Sequence, residues 1–168
     1  MLEKNICELI NAQINKELES AYLYLSFANY FIERGLVGFA HWFSVQAQEE
    51  IDHAKRFIGY LQDNSNAVRL MDIHILDCDC DDDAEVLSKA LQHEKYVTAL
   101  INNIYKTAIE LRDYRTKNFL EWFIAEQLEE EKNAQDLLDM YYRFACDCAT
   151  GECMGAGLLA VDRELGKR

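Results

Sequence analysis

Glu50 and His53 stand in the stretch QAQEEIDHAKRF, Gln46 to Phe57, on what the apolar periodicity makes the buried face of a helix. At i, i+3 spacing a carboxylate and an imidazole share one helix face and can hold one metal ion together. Glu17, Glu94 and Glu130 interrupt other apolar stripes in the same way. Carboxylates gathered in an apolar interior raise one another's pKa, and unpaired buried charge is strongly destabilising. Glu17, Glu50, Glu94 and Glu130 together carry four negative charges, which two divalent cations neutralise, with His53 adding a nitrogen ligand. Carboxylate oxygen plus imidazole suits iron, while zinc or manganese fit the same donors.

Four helical segments must bring these residues together. Apolar spacing alternating steps of four and three runs through Ile6, Ile10, Gln13, Glu17, Ser20, Tyr24, Phe27 and Phe31, predicting a helix from about Glu3 to Arg34. After a break at Gly35 and Gly38 a second helix, to about Leu61, repeats the rhythm through Phe39, Phe43, Gln46, Glu50, His53, Phe57 and Tyr60. The third opens where Asp82 and Glu85 form a capping box and continues through Leu87, Leu91, Glu94, Thr98, Ile101, Tyr105 and Ala108. The fourth carries Phe119, Phe123, Glu126, Glu130, Asn133, Leu137, Met140 and Phe144. The two short connections make each hairpin antiparallel. Between Asp63 and Asp82 no helical period survives, and a segment of that length suits a crossover joining two parallel helices.

Counting from the turns puts the polar residues at a common height. Glu17 lies 19 residues before Leu36 and His53 lies 17 after it; Glu94 lies 19 before Asp113 and Glu130 lies 17 after it. These are roughly 28 and 25 Å from each hairpin's end at 1.5 Å per residue.

Composition agrees with long helices and a cationic ligand. The 168 residues include no proline and only 7 glycines, and the net charge is −13. With a pI of about 4.7 the chain has the wrong sign for a nucleic-acid backbone or an anionic membrane surface. The N-terminal stretch lacks a signal-peptide pattern, and no run approaches a membrane span. Six cysteines without a framework spacing point to a reducing, cytoplasmic setting. One unit covering 1–168 is the expected organisation.

One general di-iron bundle pattern takes a Glu from each of two helices and Glu-x-x-His from each of the other two. Here the first Glu-x-x-His stands intact as EIDH, while the second reads Gln127-x-x-Glu130 within EQLEEE. Over nearly its whole length the sequence resembles the prokaryotic non-haem ferritins. The resemblance implies an all-α, ferritin-like four-helix bundle with a long crossover and a short fifth helix at GLLAVDREL. Residue by residue, Glu17, Glu50, His53, Glu94, Gln127 and Glu130 match that family's ferroxidase ligands and their close partner, and Tyr24 matches the tyrosine beside the site. Glu49, Glu126 and Glu129, with Glu130, match the carboxylates of an adjoining third iron site.

By the same resemblance the chain oxidises Fe(II) with dioxygen or hydrogen peroxide, two irons per site, and stores the ferric product as mineral inside a homo-oligomeric cage of 24 subunits. Glu50 is then the bridging ligand, and Tyr24 either supplies an electron or orients Glu94. The rival reading is a di-iron oxidase or peroxidase without mineral storage. Haem is not expected, because Asp52 stands where bacterioferritins place a methionine and Glu130 where they place a histidine. Paired CxxC motifs of the rubrerythrin kind are absent, and neither Cys78 and Cys80 nor Cys146, Cys148 and Cys153 have structural-zinc spacing. They read as reduced thiols, with a soft-metal or redox role as the alternative. Trp122 reads as core, and His41, His74 and His93 as surface or structural side chains. Near the start of the fourth helix Glu121 stands beside Lys117, which offers no clear iron entrance.

Overall fold

The computed structural model describes residues 1–74, 80–145 and 155–167. Within them run α1 (Lys4–Glu33), α2 (Val37–Asp63), α3 (Asp83–Glu110), α4 (Tyr114–Met140), a π-helical turn over Tyr141–Ala145, and α5 (Gly155–Leu165). No helix among the described residues is long and apolar enough to cross a membrane.

The two hairpins close by the same device. Leu36 N–H donates to Phe31 O at 2.9 Å and Asp113 N–H to Ala108 O at 2.8 Å, the wide loops of Schellman caps. Each cap needs one residue at positive φ, supplied by Gly35 (74°) and by Arg112 (55°). Asp113 then caps α4, its carboxylate accepting from Thr116 N–H. For α3, Asp82 accepts from Glu85 N–H at 2.9 Å, as the capping box requires. The reciprocal bond differs: Glu85 reaches back to Asp81 N–H rather than to that of Asp82.

The direction of the crossover can be read from its contacts. Leu2 N–H donates to Asn66 Oδ1 beside the start of α1. Arg69 N–H and Met71 N–H donate to Asn11 and Asn15 Oδ1 at 2.6 and 2.7 Å, and those side-chain amides donate back to Ala67 O and Arg69 O. Asn11 and Asn15, one turn apart, thus give the extended backbone the pairing a neighbouring strand would give. Farther along, His74 lies 3.4 Å from Glu19, and Asp83 at the start of α3 meets Tyr30 and Arg34 at the end of α1. The described residues of the crossover therefore lie along α1 from its start to about Glu19, and α3 begins at the end of α1, parallel to α2.

Apolar side chains fill the two ends of the bundle as separate clusters. One gathers Phe27, Phe31, Phe39, Phe43, Leu87 and Leu137 with their neighbours. The other gathers Ile6, Ile10, Ile14, Phe57, Ile101 and Phe123 with theirs. A layer of buried polar residues lies between them, at the height the turn counting predicts.

The fourth stripe departs from its expected course. Buried positions on α4 are Thr116, Leu120, Phe123, Gln127, Glu130, Ala134, Leu137 and Leu138. The face is thus centred on Gln127 and Ala134, with Glu126 and Asn133 at its margin. Beyond Leu137 the π-helical turn adds a residue to the repeat, so Tyr141 and Ala145 are buried while Phe144 is 54% exposed.

The fifth helix is locked onto α2. Asp162 Oδ1 accepts from Gly38 N–H at 2.8 Å and Phe39 N–H at 3.0 Å, supplying from 123 residues away the cap that Leu36 cannot provide. Gly38 lies inside α2 rather than between helices, and a Cβ there would meet Asp162 O at 1.6 Å. Of the five cysteines named above, Cys80 is half-buried against the core, and Cys78, Cys146, Cys148 and Cys153 lie outside the described residues.

Candidate metal centre

Each of the four long helices delivers side chains to the polar layer. Glu17 from α1 is fully buried, and Glu50 and Glu94 are each 1% exposed. His53, Gln127 and Glu130 are also buried. Ligand atoms of Glu17, Glu50 and His53 lie within 4.8 Å of one another, and so do those of His53, Glu126 and Glu130. His53 belongs to both groups, with Nδ1 3.4 Å from Glu50 Oε2 and Nε2 3.8 Å from Glu126 Oε1. Each ring nitrogen thus faces a different carboxylate.

Glu94 closes the layer from α3. Tyr24 donates its hydroxyl to Glu94 Oε1. Gln127 Nε2 lies 3.3 Å from Glu94 Oε2, 3.3 Å from Glu94 O and 3.2 Å from Thr98 Oγ1. Two further glutamines reach site carboxylates: Gln13 donates to Glu17 Oε1 at 2.9 Å and Gln46 to Glu130 Oε2 at 2.7 Å. Gln13 and Gln46 lie on the apolar stripes of the sequence with no task of their own there. Their position one turn before Glu17 and Glu50 was the available signal.

The residues of the expected third site are less tightly gathered. Glu126 is half-buried beside His53 and Glu130. Glu49 is half-buried, and its charge acts on both Glu50 and Glu130. Glu129 is exposed and lines an open groove with Trp42 and Asp136.

Electrostatics show what this layer lacks. Burial first, and then the neighbouring charge of Glu50, pushes Glu17 well above the usual carboxylate range. Burial and Glu94 do the same to Glu50. Glu94 is raised to about 7 by burial, against the lowering effect of the Tyr24 and Gln127 hydrogen bonds. Glu130 is raised to about 7 by burial and then by Glu94. Among the described residues four buried side-chain oxygens have no hydrogen-bond partner, and three of them are here: Glu17 Oε2, Glu50 Oε2 and Gln46 Oε1. Buried acceptors without donors, clustered among like charges, fit a cation.

The surrounding side chains brace the site. Trp122, half-buried, sets its ring at 5.6 Å from that of His53 and carries the Arg56 guanidinium 3.7 Å above its centroid. His93 is half-buried, its Nε2 2.7 Å from Ser20 Oγ and its ring edge-on to Tyr24 at 5.8 Å. Burial lowers the His93 pKa to about 4, so it is neutral near pH 7. Glu121 is paired with Lys117, and His41 is exposed.

Comparison with known proteins agrees with this arrangement. The model of the ferritin-like domain matches residues 7–143. A bacterial non-heme ferritin of Campylobacter jejuni is 36% identical over 139 residues, covering 83% of each chain. That of Bacteroides fragilis is 33% identical over 168 residues, covering 100% of both. Among solved structures, an open pore ferritin from the hyperthermophilic archaeon Archaeoglobus fulgidus superposes with a TM-score of 0.92 at 35% identity, covering 100% of this chain and 99% of that one. A four-helix bundle with a short fifth helix, a buried carboxylate and histidine layer, and full-length relatives of this kind make the chain a member of the ferritin family.

Proposed function

We propose that the chain is a ferroxidase and iron store, taking Fe(II) as substrate at a two-iron site and holding the ferric product as mineral inside an oligomeric cage, with 24 subunits as the family's number. The observation that carries this reading is the polar layer: Glu17, Glu50, His53, Glu94 and Glu130 lie buried between two apolar clusters, with Glu17 Oε2 and Glu50 Oε2 lacking any hydrogen bond. Such a layer costs stability unless cations enter it.

Glu17 and Glu50 with His53, and Glu94 and Glu130 opposite, form two halves of one site. Glu50, whose charge acts on Glu17 and which itself feels the charges of Glu94 and Glu130, is the bridging ligand by the family resemblance. Two Fe(II) held side by side give one electron each. Dioxygen takes both electrons with two protons and leaves as hydrogen peroxide, and peroxide in turn accepts two electrons from the next pair. Tyr24 fixes the rotation of Glu94 through its hydroxyl. Glu49, Glu126 and Glu129, together with Glu130, form the adjoining third iron site, and of these Glu126 and Glu130 are the ones whose ligand atoms gather with His53. The acidic chain, at −13 per copy, draws cations toward the assembly.

The test is aerobic Fe(II) oxidation by the wild type and by Glu50→Ala, followed by absorbance of the ferric product and by oxygen uptake. Loss of rapid oxidation in the variant, with the fold intact by circular dichroism, is the expected outcome. Equal initial rates would remove the assignment.

A further inference from the structure

We propose that Gln46 is a positioning residue for the metal site, holding Glu130 in its ligating orientation through a neutral N–H donor; this rests on the two-iron reading above. Gln46 is 1% exposed and stands one turn before Glu50 and two before His53 on the same face of α2. Its Nε2 crosses to α4 and donates to Glu130 Oε2 at 2.7 Å. Its Oε1 is buried and accepts no hydrogen bond. Leucine would fill that position without an unmet polar atom, so packing does not explain an amide there. The bond to Glu130 does.

The choice of donor has a physical reason. Lys or Arg would hold Glu130 more strongly but would cancel the charge a cation needs and repel that cation. A carboxamide restricts rotation of the carboxylate and leaves its charge in place. The arrangement recurs around the layer, with Gln13 donating to Glu17 and Gln127 to Glu94. Glu50 Oε2 receives no such donor, as suits a bridge that must serve two ions.

Partners that orient metal ligands typically contribute about 10–100-fold to metal affinity. The test uses the full-length, chelator-stripped protein, titrated without oxygen with Co(II), a redox-stable stand-in for Fe(II), and followed by calorimetry and by the Co(II) visible spectrum. Gln46→Leu and Gln46→Met both remove the donor; Met matches the unbranched shape of Gln and serves should Leu fail to fold. Each is expected to weaken, by about 10–100-fold, the binding step that Glu130→Ala weakens most, and to leave the step held by Glu17, Glu50 and His53 unchanged. Combined with Glu130→Ala, either change should cost nothing further, since both act on one interaction.

Wild-type affinity at every step in both variants would overturn the assignment, even with a lowered melting temperature, because that is the behaviour of a packing residue. So would a loss that adds in full to that of Glu130→Ala. A wild type that takes up no Co(II) would instead remove the two-iron reading, and this inference with it.

Discussion

Replacing Glu130 by Gln should make the metal-free protein more stable. The carboxyl of Glu130 titrates at about 7 in the fold, raised from 4.5 by burial and by the charge of Glu94. A carboxyl whose folded pKa exceeds its unfolded one favours folding only while protonated. Its contribution is fully present below the unfolded value and is lost as pH rises through the folded one. Between 4.5 and about 7 the difference amounts to about 3 kcal/mol at pH 8 and to less than about 1 kcal/mol at pH 5. Glu130→Gln removes the titration and keeps a carbonyl oxygen for the Gln46 amide. The variant should therefore exceed the wild type by about 3 kcal/mol at pH 8 and nearly match it at pH 5.

Urea unfolding of chelator-stripped protein, followed by far-ultraviolet circular dichroism at pH 5, 6, 7 and 8 and at one protein concentration, measures this difference. Adding a divalent cation should reverse the order at pH 8. At about 1,000 times its dissociation constant a ligand adds about 4.1 kcal/mol to the form that binds it, more than the deficit of about 3 kcal/mol, and Glu130→Gln binds it poorly. A variant less stable than the wild type at pH 8 without metal, or an offset that does not vary with pH, would be the opposite result. Either result would mean that the carboxylates form a satisfied structural network.

Tyr24→Phe removes a hydrogen bond that lowers the pKa of Glu94. Its Co(II)-binding pH midpoint should move upward, by roughly one pH unit for a charge-assisted bond of about 1.5 kcal/mol, and an unmoved midpoint would show that the hydroxyl does not act through Glu94. Asp162→Ala deprives Gly38 N–H and Phe39 N–H of their acceptor and should cost about 1–2 kcal/mol in urea unfolding, with Asp162→Asn recovering most of it. Gly38→Ala forces a Cβ to within 1.6 Å of Asp162 O; α5 should become sensitive to limited proteolysis while the bundle's helical signal stays, and equal resistance would argue against the close approach.

Much of this fold follows from local rules. The stripes of α1 and α2 are buried as their periodicity predicts, because alternating steps of three and four keep one face inward for the whole helix. Turn counting finds the height of the polar layer for a similar reason: two hairpins with short turns leave little freedom in register. Where two backbones meet, local rules fail. Asp162 caps a helix whose start lies more than a hundred residues earlier in the chain, and no pattern near Gly38 announces that partner. The π-helical turn shifts the α4 stripe and turns Phe144 outward, although its apolar spacing reads as continuous. Gln13 and Gln46 lie on the buried stripes, yet their carboxylate partners become visible only with rotamers and neighbouring helices in place. Asn11 and Asn15 read as ordinary helix residues until the crossover lies beside them.

Whether the polar layer serves an iron store can be read from aerobic loading. A large excess of Fe(II) is added to metal-free protein, and the iron eluting with the protein from a sizing column is counted per chain. An iron store takes up iron far beyond the stoichiometry of the site, carried on a particle much larger than one chain. Iron that stops at two or three per chain would contradict it, leaving the two-iron chemistry in place and removing the store.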